Sequence, residues 1–173
     1  MTNCFVMKWM ILFTVFILIF SACASTSGKG AGLSLMEAIE QAAEKTAGEL
    51  PQGVKVAVVA FESESGGLSE NIMEELNGAL KDRRIDVVDR QNLMHILREQ
   101  NFQISGHVDD NTAVSIGKIA GAHIVITGQL SIFGDVYRFR TTALSVETAA
   151  RVSMTRLDVR NDEALRRMIG GTR

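Results

Sequence analysis

The chain has 173 residues with a formal net charge of −2, and 22% of its residues are charged. This nearly balanced charge argues against the strongly basic surface of a nucleic-acid-binding protein. With two cysteines, Cys4 and Cys23, the sequence also cannot encode the multiple disulfides of a small secreted scaffold.

The first 22 residues predict a signal peptide. Residues 9–20 are apolar except for Thr14, and Lys8 is the only charged side chain before them. This run is shorter than the ~20 residues of a membrane-spanning helix but fits the ~7–15 apolar residues of a signal peptide. The motif FSAC at residues 20–23 resembles a lipobox, with phenylalanine in place of the usual leucine. We therefore expect a covalent lipid on Cys23, and an uncleaved N-terminal anchor is the alternative.

Both interpretations place the rest of the chain outside the cytoplasmic membrane. Removing residues 1–22 takes away Cys4 and Lys8, which leaves 17 basic and 20 acidic residues. The folded part would then have no thiol, since Cys23 would carry the lipid. Residues 23–32 are small and polar and predict a flexible tether, and its nine residues after Cys23 reach at most ~30 Å. The remaining length is enough for one domain with its own core.

The first half of that domain predicts two helices that alternate with two strands. Residues 33–53 predict an amphipathic helix and a turn, with Ser34 as the N-cap. Residues 54–61 are almost all apolar and predict a strand buried on both faces. A helix over residues 68–83 and a short strand over residues 85–88 follow.

The second half predicts two more helices, an antiparallel meander and a final helix. Asp89 is expected to cap one helix, and Asp110 or Asn111 the next, over residues 112–120, which Gly121 ends in a left-handed turn. Strands are expected over residues 123–132, 136–146 and 151–159, and Asn161 is expected to cap a helix over residues 162–169. The predicted fold, over residues 54–173, is α/β: a single domain with a mixed β-sheet of two βα units followed by an antiparallel meander, flanked by helices.

The sequence contains no pattern typical of an active site. The three histidines lack metal-ligand spacing, and the glycine-containing loop at residues 62–67 lacks a nucleotide-binding motif. We therefore expect a protein that is not an enzyme, with no metal, no nucleic-acid partner and no cofactor beyond the lipid on Cys23. Two surfaces are candidates for binding a partner protein. They are a polar loop with Gln103, Ser105, His107, Asp109 and Asp110, and a strand face with Arg138 and Arg140.

An ordered series of short motifs resembles a known family. The series is VAVVAF (56–61), VVDRQNL (87–93) with IL (96–97), IGK (116–118), GA (121–122), VITG (125–128) and VET (146–148). This series, which follows a lipobox in the chain, resembles the sequences of a family of bacterial envelope lipoproteins. The family includes the curli secretion subunit CsgG and the penicillin-binding-protein activator LpoB. The resemblance also implies a domain similar to the N-terminal domain of TolB.

The resemblance implies a non-enzymatic, lipid-anchored protein of the cell envelope that acts through protein–protein contact. The member it suggests is an LpoB-type activator of a peptidoglycan synthase, a penicillin-binding protein. A CsgG-like outer-membrane secretion or assembly subunit is one alternative, and a small envelope hydrolase is an alternative of another class. The short tether departs from the long linker of LpoB-like proteins, and residues 124–146 include arginines that disfavour a membrane-inserted hairpin. The expected location is the periplasmic face of a membrane, the outer rather than the inner. A homo-oligomer is compatible with the sequence but not indicated by it.

Overall fold

The computed structural model describes residues 32–99 and 108–170 of the chain. In chain order, the elements are α1 (Leu35–Glu49), β1 (Lys55–Glu62), α2 (Gly66–Asp82), β2 (Asp86–Val87), α3 (Arg90–Glu99), α4 (Asp110–Ile119), β3 (Ile124–Phe133), β4 (Val136–Ser145), β5 (Arg151–Arg160) and α5 (Glu163–Gly170). One sheet has the strand order β2-β1-β3-β4-β5. Strand β1 pairs in parallel with β2 and β3, and β4 pairs antiparallel with β3 and β5. The predicted mixed α/β fold is therefore confirmed.

One face of the sheet is covered by α1, α2 and α5. Helix α1 packs on β5 and α2, α2 packs on β1, and α5 packs on α2. At the centre of this core, the rings of Phe61 and Phe139 are 5.2 Å apart, and Phe139 is fully buried. Burying a phenylalanine side chain contributes ~1.5–3 kcal/mol, so this aromatic pair is a main source of stability for the first core.

The opposite face is covered only in part. Helix α4 packs on β1, β3 and the end of β4, and α3 packs on α4. Their second core contains Leu93 and Leu97 of α3, Ile116 of α4, and Val125 and Leu144 of the sheet. No helix among the described residues packs on β5 from this side, so part of the face formed by β4 and β5 stays open.

Two glycines allow unusually close contacts between elements. A methyl group at Gly117 of α4 would lie 2.3 Å from Cγ1 of Val125, and one at Gly128 of β3 would lie 2.1 Å from the ring of Phe61. Both distances are far below van der Waals contact. Helix α4 can therefore approach β3, and the Phe61 ring can lie across β3, only because these two residues have no side chain.

Three predictions about helix ends are confirmed. Ser34 caps α1 and forms a capping box with Glu37, and the backbone N–H of Asn92 donates to Asp89 at the start of α3. Gly121, which follows α4, has a φ of 63°, the left-handed conformation expected there.

Two cap predictions were wrong by one residue. The cap of α4 is Asp109 rather than Asp110 or Asn111, because the helix begins at Asp110, two residues earlier than predicted. At the start of α5, Asp162 rather than Asn161 accepts a hydrogen bond from the backbone N–H of Leu165, at 2.9 Å. In both cases the carboxylate of the residue just before the helix accepts hydrogen bonds from free N–H groups of the first turn.

The predicted signal peptide, Cys23 and most of the tether lie outside the described residues, as do Gln103, Ser105 and His107. Within residues 32–99 and 108–170, no helix combines the length and apolar character needed to cross a membrane.

The two interior helix glycines Gly117 and Gly78 predict opposite responses to alanine. Nothing lies within 4 Å of a methyl group at Gly78. Gly78→Ala should raise the free energy of unfolding by ~0.5–1 kcal/mol, because alanine favours helix more than glycine does. Gly117→Ala should lower it by ~1–3 kcal/mol, because overpacking against Val125 outweighs that gain. Urea denaturation of both variants tests this, and a stabilised Gly117→Ala would show that the approach of α4 to β3 is not tight.

Candidate functional site

The open part of the sheet carries a row of polar side chains that the strands position. Successive residues of a strand point to opposite faces. Since Phe139 lies in the first core, its neighbours Arg138 and Arg140 point to the other face. Across the sheet, Arg140 pairs with Gln129 of β3 on one side and with Arg156 of β5 on the other.

A groove of ≈ 590 Å³ lies on this face, between the N-terminal end of α4 and strands β3 to β5. Its charged lining residues are Glu62, Asp109, Asp110, Arg140, Arg151 and Arg156. The structure thus brings Asp109 and Asp110 of the predicted loop next to Arg140 of the predicted strand face. These three residues, which were predicted on two separate surfaces, therefore lie on one surface.

Arg138 is on the same face but outside the groove. Its guanidinium donates to Asp158 at 3.0 Å and stacks 3.4 Å from the centre of the Phe133 ring. Both contacts hold Arg138 close to the surface of the sheet, where it is only 21% exposed. Arg138 is therefore an ion-paired residue at the rim of the groove, whereas Arg140 is exposed inside it.

Arg140 and Arg156 form the most unusual feature of the groove. They are directly opposite each other on neighbouring antiparallel strands, and both are exposed. Neither forms an ion pair with any of the described residues, while nearby Arg151 lies 3.8 Å from Asp110. Like charges in directly opposite positions of a sheet destabilise it, by up to ~1 kcal/mol. Two adjacent guanidinium groups held at such a cost form a ready site for an anionic group.

Asp109 has a structural role at the edge of the groove. Its carboxylate accepts hydrogen bonds from the backbone N–H of Thr112 at 3.0 Å and from the Thr112 hydroxyl at 2.8 Å. These bonds, the backbone one first, hold the pKa of Asp109 below its usual range. Asp109 stays ionised at neutral pH and fixes the end of α4 that borders the groove.

Arg151 and Arg156 were missed by reasoning from the sequence. Both lie on β5, which was correctly predicted as a strand, but their place beside Arg140 depends on the register between β4 and β5. That register shifts at Ala143 and Leu144, so counting from the turn gives the wrong partners. The available signal was the alternation of charged residues along β5.

Tyr137 and two of the histidines have local partners. The Tyr137 hydroxyl donates to Glu64 at 3.4 Å, and burial together with the charge of Glu64 raises the pKa of Tyr137. Nδ1 of His123 accepts from the backbone N–H of Lys55, and His95 lies 3.5 Å from Glu99 one turn away. Among residues 32–99 and 108–170, no group of three His, Cys, Asp or Glu side chains is placed to hold a metal ion.

Comparison with known proteins gives a consistent picture. The family model described as curli production assembly/transport component CsgG matches residues 46–142. The LpoB C-terminal domain from Salmonella enterica superposes with a TM-score of 0.64 at 15% identity, covering 75% of this chain and 100% of that one. The LpoB C-terminal domain from Escherichia coli gives 0.59 at 18% identity, covering 73% and 98%.

A third solved structure is more distant. Lipoprotein GNA1162 from Neisseria meningitidis has a TM-score of 0.50 at 13% identity, covering 64% of this chain and 83% of that one. At these identities the superpositions establish a shared fold. No curated protein sequence matches the chain.

The cap at Asp109 predicts a pH-dependent contribution to stability. Because the folded pKa of Asp109 is lowered, its contribution is complete above the unfolded pKa of ~3.9 and is lost as the pH falls through the folded pKa. Asp109→Ala should therefore lower the Tm at pH 7, and the difference from wild type should shrink in acid. Asp109→Asn is the control, since asparagine also caps helices but does not titrate. A Tm difference between wild type and Asp109→Ala that is constant from pH 7 to pH 3 would contradict this role.

Proposed function

The chain belongs to the family of the curli production assembly/transport component CsgG, and on that premise we propose that it is a lipid-anchored protein of the cell envelope that acts by binding a partner protein. We propose that it acts as an LpoB-type activator of a peptidoglycan synthase. The fold shared with the LpoB C-terminal domain supports this choice of family member.

The observation that carries the proposal is the pair Arg140 and Arg156. A planar guanidinium can bind a carboxylate through two parallel hydrogen bonds, and two adjacent guanidinium groups favour a cluster of acidic side chains. The groove beside them is open and polar, as expected of a surface that binds another protein's side chains. We propose that the partner presents acidic residues to this groove.

The proposed anchor restricts where the partner can be. With the lipid on Cys23, the nine residues of the tether keep the domain within ~30 Å of its membrane. The partner must then expose its acidic surface close to the periplasmic side of that membrane. We propose that this membrane is the outer membrane. A penicillin-binding protein meets this condition only if its binding region extends to this membrane.

Charge reversal of one arginine gives a sharp test of the groove. Arg140→Glu removes the cation pair but places a carboxylate opposite Arg156, so repulsion becomes attraction and the Tm should be equal or higher. Binding should fall by about tenfold or more, because one charged contact to the partner is lost and another is made repulsive. Lys81→Glu is the matched control, since it makes the same charge change on α2, on the other side of the sheet.

The measurement is cross-linking of the full chain in cells, followed by capture and detection of penicillin-binding proteins with a labelled β-lactam. Wild type and Lys81→Glu should recover the enzyme, and Arg140→Glu should not. Equal recovery by all three would remove the groove from the proposal. Recovery of no penicillin-binding protein, together with a large closed ring in detergent, would instead favour the CsgG-like assembly subunit.

The lipid anchor has a separate test. Cys23→Ala should abolish both incorporation of labelled fatty acid and cleavage of residues 1–22, because a lipobox thiol receives its diacylglycerol before the signal peptide is cleaved. Metabolic labelling and gel mobility of the wild type and the variant measure this. Unchanged label and mobility would leave the uncleaved N-terminal anchor as the better description.

A further inference from the structure

The turn between β3 and β4 exposes two large apolar side chains. Ile132 is 64% exposed and Phe133 is 55% exposed. The last β3 residue paired to β1 is Gln129, opposite Glu62, so residues 130–133 extend beyond the end of β1. Strands rise ~3.4 Å per residue, and the end of this hairpin therefore projects by ~14 Å beyond β1. We refer to residues 132–135 as the hairpin tip.

The hairpin tip exposes one large apolar side chain on each face of the sheet, and the Arg138 guanidinium stacks on one side of the Phe133 ring. Ile132 and Phe133 are successive residues of β3, so they point to opposite faces of the sheet. A strand at the surface of a soluble domain normally exposes polar residues on its open face, and single exposed apolar residues are common. Two adjacent apolar side chains on opposite faces of a projecting turn are instead suited to an apolar environment that surrounds the hairpin tip on both sides.

The residue that follows the tether, Leu33, lies at the same end of the sheet as the hairpin tip. Leu33 forms a parallel bridge with Val159 on the outer edge of β5. Val159 pairs with Tyr137 of β4, and Tyr137 pairs with Ile132 of β3. These residues form one row across the sheet, and three strand spacings of ~4.8 Å place Leu33 only ~15 Å from Ile132.

Gly32 fixes this junction. Its φ of 117° is in the region that favours glycine, and a methyl group there would lie 2.8 Å from the backbone nitrogen of Arg160. The segment that leads to the tether is thus held against β5 by close backbone contacts. The tether leaves the domain from a defined place beside the hairpin tip.

We propose that the hairpin tip docks on the lipid bilayer that carries the anchor, with Ile132 and Phe133 in the interfacial layer. This inference rests on the proposed acylation of Cys23, which would hold the domain within ~30 Å of that bilayer. A lipobox cysteine carries a diacylglycerol, whose two acyl chains suffice for stable attachment, so a further apolar contact would orient the domain rather than attach it. The hairpin tip supplies this apolar contact at the end of the domain where the tether begins.

The cations around the hairpin tip are already paired, so the attraction is apolar rather than electrostatic. Arg138 lies 3.0 Å from Asp158, and Arg160 lies 3.2 Å from Asp162 and 3.6 Å from Glu37. Docking should therefore depend little on salt or on anionic lipid. Asp135, at the turn itself, limits the tip to the depth of the headgroups, where its carboxylate remains hydrated.

Docking would also set the height of the groove above the membrane. Arg140 is three residues from Tyr137, whose row contains Ile132, which corresponds to ~10 Å along β4. The groove would then open close to the bilayer, within reach of a membrane-bound partner whose acidic surface is near the headgroups.

Tryptophan scanning of the acylated full chain tests the inference. The only tryptophan, Trp9, lies in the predicted signal peptide and is removed by Trp9→Phe. In this background, Phe133→Trp and Ile132→Trp place the probe at the hairpin tip, and Glu147→Trp places it in the exposed turn at the opposite end of the sheet. Each protein is reconstituted into phosphatidylcholine vesicles with or without lipids brominated on the acyl chains.

We expect the emission of both tip probes to shift to shorter wavelength and to be quenched by brominated lipid, at low and high salt alike. The emission of the Glu147→Trp probe should do neither. If the protein floats with the vesicles but the tip probes are not quenched, the docking inference is wrong while the anchor stands. A blue shift without quenching would show contact between copies of the chain and would also overturn it. If the protein does not float, the proposed anchor and this inference fail together.

Discussion

The close approach of α4 to β3 is the contact on which the rest of the structure depends. It is possible because Gly117 has no side chain where Val125 and Val146 meet the helix. With α4 fixed over β1 and β3, its capped N-terminal end lies at the edge of the covered face, and β5 remains open on that side. The groove is the direct consequence, since a helix displaced by a larger residue at position 117 would no longer border it with Asp109 and Asp110.

The open half of the sheet holds two like charges side by side, at a cost in stability. Arg140 and Arg156 repel each other at a position where an uncharged or oppositely charged pair would be more stable. Departures of this kind from favourable local chemistry are expected at functional sites. The proposed mode of action follows from the same pair, because a partner's acidic groups would relieve the repulsion on binding.

The family match and the groove overlap only in part. Residues 46–142 include β1, β3, Arg140 and the two glycines of close approach, Gly117 and Gly128. Arg151 and Arg156 lie beyond the matched residues, on β5. The matched residues thus contain β1, β2, β3, most of β4 and Arg140, whereas Arg156 lies on β5, outside the match. The proposed polar groove and the proposed apolar hairpin tip lie on the same group of strands.

The sequence by itself determined the elements of the fold, because helix periods, strand alternation and caps are local properties of the chain. It placed nine of the ten helices and strands within two residues of their ends and gave their order. It also predicted Asp109, Asp110, Arg138 and Arg140 as candidate residues for binding a partner protein. Tertiary structure alone decided that Arg140 lies opposite Arg156, that the Asp109 end of α4 borders the same groove, and that Leu33 lies in one row with Ile132. These neighbours are far apart in the chain, and a shift of one residue in strand register would change every one of them.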